Sequence, residues 1–160
     1  MGTEIDFEAL DNKLRKYFEG YEDHVFCKKG CSACCEKGDY PLSDIELKYL
    51  MKGYSCLDNS LKVRVQKNIQ LMERGGACPF LLDRVCSVYE YRPLICRIHG
   101  LAYLNKDGIV KVPYCVNEGK NFSKLYKNGE FFGEPIKENL DEILNIGEVR
   151  NLYDWLSSGN

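Results

Sequence analysis

The sequence predicts a mainly α-helical single domain, residues 1–160, with one or two small β-hairpins around an irregular cysteine-rich centre. Three observations predict it. Apolar residues recur at helical spacing in three separate segments. An Asp107-Gly108 pair stands between two short apolar runs. Nine cysteines fall mostly in stretches without either periodicity.

The elements follow in order. Over residues 4–24, Phe7, Leu10, Leu14, Tyr17, Phe18 and Tyr21 form one stripe of a 3.6-period helix, weakened at Gly20. Ser43-Asp44-Ile45-Glu46 is a capping box, in which hydroxyl and carboxylate each satisfy an orphan amide. Leu47, Leu50, Met51 and Tyr54 continue that helix, and Gly53 marks its stop. A third helix begins at Asp58 or Asn59, turns Leu61, Val65, Ile69 and Met72 inward and ends at Gly75-Gly76. Residues 78–100 read as irregular, with short strands either side of Asp83-Arg84 and a helical turn near Tyr89–Arg92 that Pro93 interrupts. Leu101–Asn105 and Ile109–Pro113 make the hairpin around Lys106-Asp107-Gly108. Asn117–Gly133 reads as a long surface loop. Two tail helices are expected, Pro135–Asn145 and Glu148–Leu156, with Tyr153 and Trp155 closing the core.

A formal charge of −2 and a pI near 5.8 argue against nucleic acid or an anionic membrane as the main partner. The N-terminus lacks a basic start and an apolar stretch, so no secretory signal is expected. No run approaches the ~18 apolar residues of a membrane span. The expected location is the cytoplasm, and an unknown protein partner stays open.

A reducing compartment disfavours a disulfide framework, and nine cysteines leave one over. Inert thiols would be scattered on apolar faces, whereas most of these are bunched beside Gly, Pro, Arg and polar residues. Metal binding is the reading that remains. The first group is Cys27, Cys31, Cys34 and Cys35. Cys31 and Cys34 form a C-x2-C pair that grips one ion from a tight turn. If the segment is helical, all four sulfurs share one face instead. The second group is Cys78, Cys86, Cys96 and Cys115. Cys56, without a cysteine neighbour, reads as a free thiol. Eight thiolates suit two four-thiolate sites, or one site with spare ligands. Arg92 and Arg97 flank Cys96 and would donate to metal-bound sulfur. His99 and His24, each three residues from a cysteine, are weaker ligand candidates.

The chain resembles the YkgJ-like cysteine-cluster family, the CxxCxxCC zinc- or iron-chelating proteins. The resemblance rests on Phe26-Cys27, Cys31-Ser32-Ala33-Cys34-Cys35, Cys78-Pro79-Phe80-Leu81 and Cys86 through Arg92-Pro93-Leu94-Ile95-Cys96-Arg97, roughly residues 26–100. Three residues separate Cys27 from Cys31 where the family name implies two. The resemblance implies metal binding. In some relatives it implies an iron–sulfur protein linked to lysine methylation of flagellin.

Dispersed single cysteines, one followed by proline at Cys78-Pro79, favour an iron–sulfur cluster, 4Fe-4S in type, over zinc. Three functions compete: a metal-binding protein, a cluster-dependent enzyme or accessory factor, and a thiol redox sensor using Cys34-Cys35 or Cys31–Cys34. Gly75-Gly76 lacks the strand and third glycine of a nucleotide loop.

Overall fold

The computed structural model describes residues 5–27, 31–105, 107–138, 140 and 147–158. Helix α1 (Phe7–Gly20) starts where Asp6 accepts the Ala9 amide, and it buries Phe7, Leu10 and Leu14. The stripe read from the sequence therefore continues past the buried part of the helix. Strand β1 (Pro41–Ser43) leads into α3 (Asp44–Ser55), preceded by the single turn α2 (Ala33–Glu36). The capping box at α3 is present with both of its bonds. Helix α4 (Asn59–Leu71) is capped by Asp58 and ends at Met72, four residues before Gly76.

The hairpin β2 (Leu81–Leu82) to β3 (Val85–Cys86) turns through Asp83 and Arg84, both at positive φ (51° and 65°). Two left-handed central residues match the right-handed twist of the strands. A 3-10 turn spans Tyr89–Tyr91, and α5 (Leu94–Ile98) follows Pro93. The Asp-Gly hairpin pairs β4 (Tyr103–Leu104) with β5 (Val110–Lys111).

Three expectations are corrected. The surface loop at Asn117–Gly133 instead begins in a 3-10 turn (Tyr114–Glu118), buries Asn121 and Phe122, and pairs β6 (Tyr126–Lys127) with β7 (Glu130–Phe131). The Asn128-Gly129 dipeptide at that turn is itself a hairpin signal. At the expected start of the Pro135–Asn145 helix, Ile136 is extended and bridges Tyr103. The rest of that helix lies largely outside the described residues. Residues 149–151 are strand β8 (Val149–Asn151), which pairs β1 antiparallel, and only then does α6 (Leu152–Ser157) begin, capped by Asn151. Among the described residues the fold is thus a mixture of helices and four two-stranded antiparallel sheets rather than mainly α. Long-range pairing of β1 with β8 overrode the local helical preference of Glu148–Asn151.

Two larger clusters bracket the cysteines. One joins α1 to Leu94, Ile98, Leu101, Ile136 and Leu140. The other joins Leu42, Leu50, Val65, Phe80, Leu82, Val88 and Leu152, with Trp155 packed against it. A smaller one holds Ala102, Val116 and Phe122. Buried Glu46 ties the first two together: its carboxylate accepts from Ser43 N (2.7 Å) at the N-cap of α3 and from Leu94 N (2.8 Å) at the start of α5. Pro93 offers α5 no side-chain cap, so a residue of another helix supplies it. No described helix is long and apolar enough to cross a membrane.

Candidate metal centre

Cys34, Cys35, Cys78, Cys86 and Cys96 line one cavity of about 360 Å³, with Cys31 at its wall. They come from four segments. Cys34 and Cys35 ride on α2, their sulfurs 4.0 Å apart. Cys78 N donates to Cys35 O (2.8 Å), and the Tyr40 hydroxyl donates to Cys35 O (3.1 Å) and Gly76 O (3.2 Å). These bonds staple the α2 turn to the segment before the β2–β3 hairpin. Cys86 is on β3. In α5, Leu94 and Ile98 face the α1 cluster, and Cys96, on the opposite side of the short helix, faces the sulfurs.

The backbone is arranged for anionic sulfur. Backbone amides of Phe80 and Leu81 near the Cys78 sulfur, and of Val88 near Cys86, pull those thiols down. Amides so placed favour thiolate over thiol. Against them, loss of solvent pushes the Cys78 thiol up to about 12, Cys86 upward and Cys96 well above the ordinary thiol range. The repulsion of neighbouring sulfurs adds to each shift. Cys34 goes the other way, to about 7, through its contact with the Cys35 sulfur, and Cys35 is pushed strongly up in return. The Arg92 guanidinium pulls Cys34, Cys86 and Cys96 down. Together these describe a cavity that several thiolates occupy together only when a bound cation compensates their charge.

Arg92 lines this cavity, stacks on the Tyr89 ring with its guanidinium carbon 3.6 Å from the centroid, and donates to Tyr89 O. Arg97 turns away from the sulfurs. It is buried and donates to Asp11, Arg92 O and Glu90 O, with its guanidinium over the Phe7 ring. Its role is to join α1 to α5. On the other side of Cys34, Cys35 and Cys96 opens a second cavity of about 390 Å³, which Tyr40 and His99 also line. The His99 Nε2 is buried and lacks a hydrogen-bond partner among the described residues. His24 packs edge-on to Tyr21 instead.

Cys27 and Cys115 stand elsewhere. Asn121 Nδ2 donates to the Cys27 sulfur (3.0 Å), and burial raises both thiols. Of the two geometries expected for residues 27–35, the helical one holds only from Ala33 to Glu36. Lys28 and Lys29 lie outside the described residues. Cys56 is exposed at the C-terminus of α3, away from both sets. All nine cysteines are free thiols. Among the described residues, no three Cys, His, Asp or Glu side chains already close on a single point at which an ion would sit.

Sequence reasoning grouped the cysteines by position in the chain, whereas the fold sorts them across those groups. It also missed Tyr40, Gly100 and Asn121, which are distant in sequence from the thiols they serve.

A small helical and antiparallel scaffold, with five sulfurs converging on one cavity beside the Arg92 guanidinium, defines a thiolate metal-binding protein. The donor set fits a thiophilic metal: sulfur ligands, N–H donors and one guanidinium. The chain belongs to the CxxCxxCC family, whose model, described as "Putative zinc- or iron-chelating domain", matches residues 26–121. The match extends past residue 100 to include Cys115 and Asn121. No curated protein and no solved structure matches the chain.

Proposed function

We propose that this protein binds an iron–sulfur cluster in the cavity lined by Cys34, Cys35, Cys78, Cys86 and Cys96. The observation that carries the reading is the convergence of these sulfurs, from four segments, on a 360 Å³ space rather than on a point. A single tetrahedral ion needs sulfurs gathered within one coordination shell, at about 2.3 Å from the metal. A multi-iron cluster instead takes one thiolate at each of several separated irons. Arg92 supplies positive charge to the resulting anionic group.

Zinc is the second reading, favoured by one observation. The 4.0 Å between the Cys34 and Cys35 sulfurs is near the edge of a tetrahedron built on such bonds.

Anaerobic purification, metal and acid-labile sulfide analysis, and a visible spectrum decide between them. Brown protein containing iron and sulfide is expected. Colourless protein with stoichiometric zinc establishes the second reading, and metal-free protein after reconstitution with either overturns both. Cys96→Ser is expected to lose the centre and lower solubility, since metal binding supplies folding free energy. Cys56→Ser is expected to keep it.

A further inference from the structure

We propose that the second cavity is the port through which a metal ion enters and leaves the thiolate centre, with the His99 imidazole as the ligand it meets on the way. The inference rests on the reading that these thiolates bind metal, and it adds the path and a residue that serves it.

The two cavities share a wall. Cys34, Cys35, Tyr40 and Cys96 line both, whereas Cys78 and Cys86 line the first alone. Three sulfurs of the centre are thus reachable from the second side. That side meets solvent at Lys37 and Asp39, both exposed, and holds about 390 Å³. A water takes about 30 Å³, so an ion still carrying its hydration shell fits.

His99 stands inside this space. It caps the C-terminus of α5, its amide donating to Ile95 O one turn earlier, and both residues line the cavity. The His99 Nε2 is buried and has no hydrogen-bond partner among the described residues. A buried nitrogen without a partner is costly and calls for a reason. Neutral imidazole is a ligand for zinc and iron alike. One nitrogen holds an ion weakly beside several thiolates, so an ion captured there passes on to the sulfurs behind it. His99 is not needed as a resident ligand, because five sulfurs already line the first cavity and a tetrahedral centre uses four.

The first cavity is the poorer entrance. Arg84 and Arg92 line it, with Glu90 the one carboxylate among the residues that do, and the Arg92 guanidinium lies over the Tyr89 ring. A rim of net positive charge opposes an incoming cation. At the second rim Lys37 and Asp39 offset one another, although the Asp39 carboxylate also accepts from Asn151.

The test follows Zn²⁺ passing between the full, reduced chain and a chromophoric chelator, in both directions, by stopped-flow absorbance. His99→Gln should slow uptake and release alike by about tenfold, with zinc equivalents and equilibrium affinity unchanged. Lys37→Glu should speed uptake about two- to threefold at low salt, and less as salt is raised. Arg84→Glu, at the other mouth, should leave uptake unchanged. Unchanged rates in His99→Gln, or faster uptake in Arg84→Glu than in Lys37→Glu, overturns the port. Loss of zinc or of affinity in folded His99→Gln makes His99 a resident ligand and overturns its part as a relay. Lys37 and Arg84 are exposed, so their two variants decide between the mouths even where His99→Gln does not fold. An unaltered chain that takes up no zinc and, after reconstitution, no iron overturns the metal-binding reading instead.

Discussion

Replacing Glu46 by alanine should cost this protein a large part of its stability while touching no cysteine. Glu46 is fully buried and accepts from Ser43 N, the Ser43 hydroxyl and Leu94 N, all at residues that are themselves fully buried. Removing it strands two buried amides, each worth about 1–3 kcal/mol when left unpartnered; the Ser43 bond among them is the carboxylate half of the capping box. The total is roughly 4 kcal/mol, against the 5–15 kcal/mol of an ordinary domain. With an m-value of about 2 kcal/mol/M the urea midpoint should fall by about 2 M. Trp155 reports on the event directly, since its indole N–H donates to Leu42 O, one residue before Ser43. Equilibrium urea unfolding of the reduced, metal-free chain, followed by tryptophan fluorescence, measures the shift. Glu46→Gln keeps one acceptor oxygen and should lose about half as much. A loss below about 1 kcal/mol in Glu46→Ala would refute the claim that this carboxylate joins the starts of α3 and α5. Because α5 carries Cys96, the alanine variant should also bind metal more weakly.

Arg97→Met should lower stability by about 2–4 kcal/mol through the stranded carbonyls of Glu90 and Arg92, yet leave the metal-to-protein ratio unchanged; urea unfolding and metal analysis separate the two effects. In the metal-free protein Cys34 should alkylate first, its rate rising through about pH 7, because its contact with the Cys35 sulfur holds it as the thiolate; iodoacetamide kinetics by mass spectrometry read this. Gly100→Ala should push the Cys27 sulfur away from Asn121 and raise its alkylation rate in the reduced, metal-free protein, with Cys78 and Cys96 unaffected. His99 is held below its ordinary value by burial, so the folded state binds fewer protons than the unfolded one near and below pH 6.5. Its contribution is therefore present above about pH 6.5 and lost as pH falls through the depressed value. His99→Gln should flatten the acid limb of a stability profile measured by urea unfolding between pH 5 and 8.

Several elements were legible because their signals are local. The Ser43–Glu46 box, the Asp58 cap, the Asp107-Gly108 turn and the break at Pro93 each depend on neighbours within four residues. The cysteine pattern was legible for a different reason: thiols in that number, bunched beside Gly, Pro and Arg rather than spread over apolar faces, suit metal ligation better than core packing. What misled was segments whose partners are remote. Val149–Asn151 is a strand because Pro41–Ser43 lies beside it, and Arg97 faces Asp11 because α1 packs on α5.

Composition and spacing by themselves determined that this chain gathers sulfur for a metal, since ligand chemistry is fixed by residue type. They could not determine which sulfurs share a centre. Cys34 and Cys35 meet Cys78, Cys86 and Cys96 around one cavity, and Cys27 meets Asn121, through contacts such as Cys78 N to Cys35 O and Asn121 to Cys27. Those contacts close loops of 43 and 94 residues, and the energy that closes them comes from packing throughout the chain rather than from the cysteines.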